Sequence, residues 1–152
     1  MAQKHPEKDF INKHNFSKRL DDAKKISKNC KIKVIDNLNY CSDKYTYNNL
    51  NELIKSSDDK SFVFLMGADN LLNFHKWYKW EKIFHLVPIA VFDRPKYKNI
   101  SLSSKSAKKF RKFRYPEKLS KSLIYIHAPA WIYFHGKQNY IKSSLIRKKN
   151  EN

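Results

Sequence analysis

Apolar residues recur along this chain at two different spacings, and stretches with the two spacings alternate. Phe16, Leu20 and Ala23 are spaced as on one face of a helix, whereas Ile32 and Val34 alternate with lysines as in a strand. Alternating helices and strands are typical of an α/β domain with a mostly parallel sheet. The pattern predicts helices over residues 15–28, 46–57, 70–84 and 143–150, strands over residues 31–37, 62–66, 88–95 and 130–136, and loop with a short helix over residues 101–121.

The strand predicted over residues 62–66 leads directly into Gly67, Ala68 and Asp69, where the next helix begins. Ligands of parallel sheets bind at the carboxyl ends of strands. A glycine lets the backbone approach a ligand closely, and a helix N-terminus attracts anions. Asp69 adds an acceptor for hydroxyl groups. The pattern therefore predicts a binding site here, although a plain turn with a helix cap fits it equally well.

The length and composition predict one domain over residues 1–152 in a reducing, cytoplasmic environment. The chain has 152 residues, of which 41% are hydrophobic, which is enough for one core. No apolar run approaches the length of a membrane span, and the first ten residues are polar, without the apolar segment of a signal peptide. Cys30 and Cys41 suit a reducing interior, and neither they nor the scattered histidines show zinc-site spacing.

The formal net charge of +18 requires an explanation in terms of a partner or of surface composition. Nucleic acid or an anionic membrane would suit such a charge. However, only five of the 32 basic residues are arginine, the residue favoured for phosphate and base contacts, and the lysines are spread over the whole chain. A solvated, lysine-rich surface is the preferred interpretation. The same field would also steer a small, phosphate-rich ligand.

The segment GADNLLNFHKWYKW, residues 67–80, is more specific than a strand, a turn and a helix. With DKYTYNNLNEL (43–53), VPIAVFDRPKY (87–97), IKSSLIR (141–147) and QKHPEK (3–8), it resembles the bacterial nicotinate-nucleotide adenylyltransferases. The resemblance covers nearly the whole chain and implies a Rossmann-like nucleotidyltransferase fold. It further implies transfer of the adenylyl group of ATP to nicotinate mononucleotide, giving deamido-NAD and pyrophosphate, with Mg²⁺ bound together with ATP.

The resemblance also implies which residues bind nicotinate mononucleotide. Trp77 would stack on the pyridine ring, since an indole face offers a flat platform for a flat, electron-poor ring. The backbone at Thr46 and Tyr78 would hold the nicotinate carboxylate, and Asp69 beside Gly67 would meet the ribose hydroxyls. The alternative for Trp77 is a position in the core, a role for which Trp80 is better suited.

The ATP phosphates would be bound, by the same resemblance, near the C-terminus. Ser143 and Ser144 would supply hydroxyls and N–H groups at a helix start, and Arg147 would supply a guanidinium. Lys8 is a further candidate for phosphate contact. Lys142 stands where the family has the first serine of this signature, and Ser144 stands where threonine is usual.

The chain departs from the family in its N-terminal part. The family's His-x-Gly-His motif and the glycine-rich turn before it are absent, because Gly67 and Gly136 are the only glycines. About one βαβ unit is missing. No catalytic residue is therefore assigned, and we expect that these residues alone do not catalyse transfer. We also expect a split or collapsed sheet, because the two absent strands would lie between the strands predicted over residues 31–37 and 62–66. Asp93 and Arg94 are interpreted as a turn.

Two alternatives to an enzyme of deamido-NAD synthesis stay open at this point. One is a non-catalytic remnant of the fold, and the other is a basic nucleic-acid-binding protein. Binding that weakens steeply with salt, without preference for the mononucleotide, would favour nucleic acid.

Overall fold

The computed structural model describes residues 13–28, 34, 43–57 and 60–136. The chain divides into two compact units, Met1–Asp58 and Asp59–Asn152. The strand predicted over residues 31–37 and the helix predicted over residues 143–150 lie outside the described residues, apart from Val34. The predicted phosphate-binding residues Lys8, Ser143, Ser144 and Arg147 also lie outside them.

The described part of the first unit consists of two helices. Helix α1 spans Lys13–Ser27 and helix α2 spans Thr46–Lys55, which confirms the two helices predicted in this region. Lys24 and Lys25 lie in the last turn of α1, where positive charge interacts favourably with the helix dipole. Within the described ranges, none of the helices is both long and apolar enough to cross a lipid bilayer.

The second unit contains a four-stranded parallel sheet. Its strands are β1 (Phe64–Gly67), β2 (Ile89–Phe92), β3 (Arg114–Tyr115) and β4 (Trp131–Phe134). Their order in the sheet is β1-β2-β4-β3, and every neighbouring pair is parallel. The sheet confirms the predicted α/β class. The sheet is continuous from β1 to β3. The strand predicted over residues 31–37, which we expect to be separated from β1, lies outside the described residues apart from Val34.

The segment after β1 is not the single helix that the sequence predicted over residues 70–84. Helix α3 spans Ala68–Asn73, a 3-10 turn follows over Phe74–Lys76, and helix α4 spans Trp80–Leu86. Between them Trp77 has extended backbone angles, and Lys79 has a left-handed φ of 50°.

Aromatic packing explains this break in the helix. The rings of Phe74 and Phe84 lie 5.5 Å apart, and both residues are fully buried. In one straight helix ten residues would separate them by about 15 Å along the axis. The break therefore lets both ends of the segment contribute to one core.

The segment after β2 contains more structure than the predicted loop and short helix. Helix α5 spans Lys98–Leu102 and helix α6 spans Lys105–Lys109. Two 3-10 helices, Arg111–Phe113 and Glu117–Tyr125, flank the two-residue strand β3. Strand β3 was not predicted, because two residues show no periodicity.

Hydrophobic cores lie on both faces of the sheet. On one face Ala90 and Ile132 pack with Leu123 of the 3-10 helix that follows β3. Side chains alternate between faces along a strand, so Val91 and Tyr133 point to the other face. There α3 contacts β1 and β2 and also packs on α5 and α6.

A buried serine joins α6 to α3. Ser106 Oγ donates a hydrogen bond of 2.6 Å to the carbonyl of Leu71, and both residues are fully buried. Trp131 makes a comparable link, because its indole N–H donates to the carbonyl of Phe110 at 2.8 Å. These bonds satisfy polar groups that could not reach water.

We expect Ser106→Ala to lower the free energy of unfolding by roughly 1–2 kcal/mol, because a buried hydrogen bond is lost. Chemical denaturation measures this change. Ser103→Ala is the matched control, since Ser103 is exposed and its backbone bond to Asn99 remains. Equal stability of the two variants would contradict the assignment.

Candidate functional site

The carboxyl ends of β1 and β2 bring an acid and a base together. In the register of these two strands Gly67 is opposite Phe92, so the residues just beyond both strand ends are neighbours. Asp69 lies in the first turn of α3, and Arg94 lies two residues after β2. Arg94 Nη1 donates a hydrogen bond of 3.0 Å to Asp69 Oδ2. The predicted site at Gly67 and Asp69 thus gains a cation that follows the neighbouring strand.

Gly67 provides the space for this ion pair. A β-carbon at this position would collide with Asp69 Oδ1 and would lie 2.6 Å from Arg94 Nε. The backbone angles of Gly67, φ −82° and ψ 158°, are ones that any residue adopts. Glycine therefore matters here for the room that it leaves to these two side chains rather than for its conformation.

Two buried side-chain atoms in the described ranges have no hydrogen-bond partner, namely Asp69 Oδ1 and His75 Nδ1. Both belong to the segment of residues 67–80. A buried polar atom without a partner is costly, and such atoms are uncommon in folded proteins. The side chain of Asp69 as a whole is 30% exposed. Its carboxylate, already paired at Oδ2, still has acceptor sites for hydroxyl groups.

The two tryptophans of the segment occupy different environments. The ring of Trp80 contacts Phe84 at 6.3 Å and Phe110 at 5.8 Å, both of which are buried. In the described part of the chain, the contact of the half-buried Trp77 ring is with Phe74, at 5.0 Å and edge to face. Both indole rings are partly buried. The assignment of Trp80 to the core and of Trp77 to binding stays a prediction.

Tyr78 lies in the break between α3 and α4. Its side chain is 42% exposed, and Lys79 Nζ lies 4.8 Å from the centre of its ring. The break turns the backbone at Tyr78 out of helical geometry. The predicted contact of the Tyr78 main chain with a carboxylate requires backbone outside a regular helix, and the break provides it.

In the first unit, a network of polar side chains sets the start of α2. Asp43 accepts hydrogen bonds from the N–H of Tyr45 at 2.8 Å and from Asn48 Nδ2 at 2.6 Å. The bond from Asn48, and then that from Tyr45, holds the pKa of Asp43 below its usual value. Asn49 Nδ2 donates to the carbonyl of Asp43. Thr46 is the first residue of α2, so no carbonyl inside the helix can accept its N–H. The role implied for Thr46 stays a prediction.

Arg94 is a candidate functional residue that the sequence interpretation treated only as part of a turn. The turn exists, since the N–H of Tyr97 donates to the carbonyl of Arg94 at 3.0 Å. The residue before it is also engaged, because Asp93 accepts a hydrogen bond of 2.7 Å from the hydroxyl of Tyr133. Burial, followed by this bond, raises the pKa of Tyr133 to about 12. The side chain of Arg94 is 57% exposed. The sequence contained one signal for this pair, namely an acidic residue after one predicted strand and a basic residue after the next.

Metal-ligating side chains are not clustered in the described part of the chain. In residues 13–28, 34, 43–57 and 60–136, no three histidine, cysteine, aspartate or glutamate side chains are placed to share a metal ion. Mg²⁺ is commonly held by one or two carboxylates together with the phosphates of a substrate.

Comparison with known proteins gives consistent results over nearly the whole chain. The family model described as cytidylyltransferase-like matches residues 2–149. A probable nicotinate-nucleotide adenylyltransferase of Rhizobium meliloti (strain 1021) is 37% identical over 142 residues, which are 93% of this chain and 76% of that protein. The probable nicotinate-nucleotide adenylyltransferase of Brucella suis biovar 1 (strain 1330) is 34% identical over 94% of this chain and 74% of its own length.

We expect Gly67→Ala to displace the Asp69 and Arg94 side chains and to destabilise the protein by about 0.2–1 kcal/mol, the range for an ion pair that is open to solvent. Thermal unfolding measures the loss. Gly136→Ala is the matched control, since nothing lies within 4 Å of a β-carbon there. If the two variants melt together, the space at Gly67 is not needed for the pair.

Proposed function

Because the chain belongs to the cytidylyltransferase-like family, we propose that it acts in the transfer of the adenylyl group of ATP to nicotinate mononucleotide, giving deamido-NAD and pyrophosphate. The family match and the names of the relatives support this activity. The observation that carries the proposal is the arrangement of Asp69, Arg94 and Gly67 at the carboxyl edge of β1 and β2, with Trp77 eight residues after Asp69, beyond α3 and the 3-10 turn.

Nicotinate mononucleotide is the substrate that this edge of the sheet would bind. A ribose offers hydroxyl donors, and the carboxylate of Asp69 offers acceptors. The pyridine ring offers a flat surface, and the partly buried Trp77 ring, 5.0 Å from that of Phe74, would stack on it. The main chain at Tyr78 would donate to the nicotinate carboxylate, which would accept N–H groups that an amide matches less well.

The reaction needs position and charge stabilisation rather than a covalent intermediate with the protein. The 5′-phosphate of the mononucleotide attacks the α-phosphorus of ATP, and pyrophosphate leaves in line. The chain carries a formal net charge of +18, so its field attracts both phosphate-bearing substrates. We propose that Ser143, Ser144, Arg147 and Lys8 contact the triphosphate. Mg²⁺ entering with ATP would neutralise part of the phosphate charge.

We expect the protein to bind nicotinate mononucleotide at least about tenfold more tightly than the nicotinamide form, since hydrogen bonds to a charged carboxylate are stronger than those to a neutral amide. Titration calorimetry with both nucleotides at one salt concentration measures the ratio. Equal affinities would refute the carboxylate contact at Tyr78.

We expect Trp77→Ala to weaken nicotinate mononucleotide by roughly 1–3 kcal/mol, the range for stacking of a base on an aromatic side chain, and to leave ATP affinity nearly unchanged. Trp80→Ala is the comparison, because Trp80 packs on Phe84 and Phe110 and should mainly affect stability. Loss of mononucleotide affinity in Trp80→Ala, with none in Trp77→Ala, would show that the wrong tryptophan is assigned.

A further inference from the structure

We infer that Arg94 is a positioning residue, which holds the Asp69 carboxylate in the orientation that receives the ribose hydroxyls of the nucleotide. The inference rests on the proposed function and extends it to a residue after β2. Arg94 acts by holding Asp69 and does not contact the reacting phosphates.

The first support is the geometry of the pair. A carboxylate next to solvent rotates freely unless something fixes it, and the Arg94 bond of 3.0 Å to Oδ2 fixes that of Asp69. The absent side chain of Gly67 leaves the room in which Arg94 Nε and Asp69 Oδ1 lie. The small residue at position 67 thus leaves these two side chains the space in which they meet.

The second support is the pattern of used and unused acceptor sites. An ionised carboxylate has about four lone-pair sites, and Arg94 occupies one of them. Oδ1 is buried and has no partner within the described residues. A ligand hydroxyl would therefore meet the acceptor site of Oδ2 that Arg94 leaves unused, or would reach Oδ1 after a small movement of the pair, while the bond from Arg94 restricts the orientation of the carboxylate. Hydroxyl groups of a sugar are the ligand chemistry that fits an acceptor of this kind.

The third support is charge. A free Asp69 would repel a ligand that carries phosphate, whereas an Asp69 paired with a guanidinium presents acceptors without net negative charge. Arg94 is 57% exposed, and ion pairs this open to solvent contribute little to stability. A role in binding and a role in stability can therefore be separated by experiment.

The test measures binding of nicotinate mononucleotide by calorimetry to the wild type, R94A, R94K, D69A and the double variant D69A/R94A. We expect R94A to bind about tenfold more weakly, the lower range for loss of a charge-assisted hydrogen bond, and to melt close to the wild type. R94K should lose only part of the affinity, because lysine keeps the charge without the fork of donors. The double variant should bind as weakly as D69A, since Arg94 acts through Asp69.

Arg111→Ala is the matched control for net charge. Arg111 is an exposed arginine outside the pair, so its loss should change the affinity by less than about twofold if only long-range attraction is affected. An equal effect of Arg111→Ala and R94A would overturn the inference, because charge alone would then explain the loss.

The outcomes separate this inference from the proposed function. If the wild type does not bind nicotinate mononucleotide, both fail. If it binds and R94A binds equally well, the positioning role fails while the proposed function stands. Additive losses in the double variant would also overturn the role, since Arg94 would then act independently of Asp69. Should R94A fail to fold, R94K decides, and an unchanged affinity of R94K is the contrary result.

Discussion

The parallel register of β1 and β2 is the constraint on which the candidate site depends. Backbone pairing sets Gly67 opposite Phe92, and therefore the chain segments that leave these two residues start side by side. Asp69 and Arg94 are 25 positions apart in sequence, yet they form an ion pair because each follows its strand end by two residues. The site is thus a product of sheet pairing, and the absence of a side chain at Gly67 gives it space.

The break between α3 and α4 is the second determinant, and it serves both packing and binding. It lets Phe74, Phe84 and Trp80 share one aromatic core instead of lying along a single helix. It also places Trp77 and Tyr78 outside helical geometry, at the rim of that core. One irregularity of the backbone therefore separates a tryptophan used for packing from one proposed to bind substrate.

The α/β class, both helices of the first unit and three strands of the sheet could be predicted from apolar spacing, because each of these elements is a continuous stretch with one apolar pattern. The break at residues 77–79 could not, since the aromatic positions fit helical spacing on either side of it. No glycine signals the left-handed angle of Lys79. Tertiary packing of Phe74 against Phe84 decides the conformation there, and local sequence does not contain that information.

The candidate site divides in the same way. Gly67, Asp69 and Trp77 were predicted because they belong to one continuous segment with a specific pattern. The contribution of Arg94 to the site could not be predicted. It depends on which strands are neighbours in the sheet, and neither segment contains that information by itself. The turn at Arg94 was recognised, and its side chain was not. Acids and bases that follow different apolar strands are consequently worth comparing as pairs once a parallel sheet is predicted.

A crystal structure of the protein with nicotinate mononucleotide tests the central claim most directly. We expect a ribose hydroxyl within hydrogen-bond distance of the Asp69 carboxylate, about 2.5–3.0 Å, with Arg94 still paired to that carboxylate. We also expect the pyridine ring to lie on the face of Trp77. A nucleotide bound elsewhere, or a ribose at this edge with no contact to Asp69, would contradict this claim.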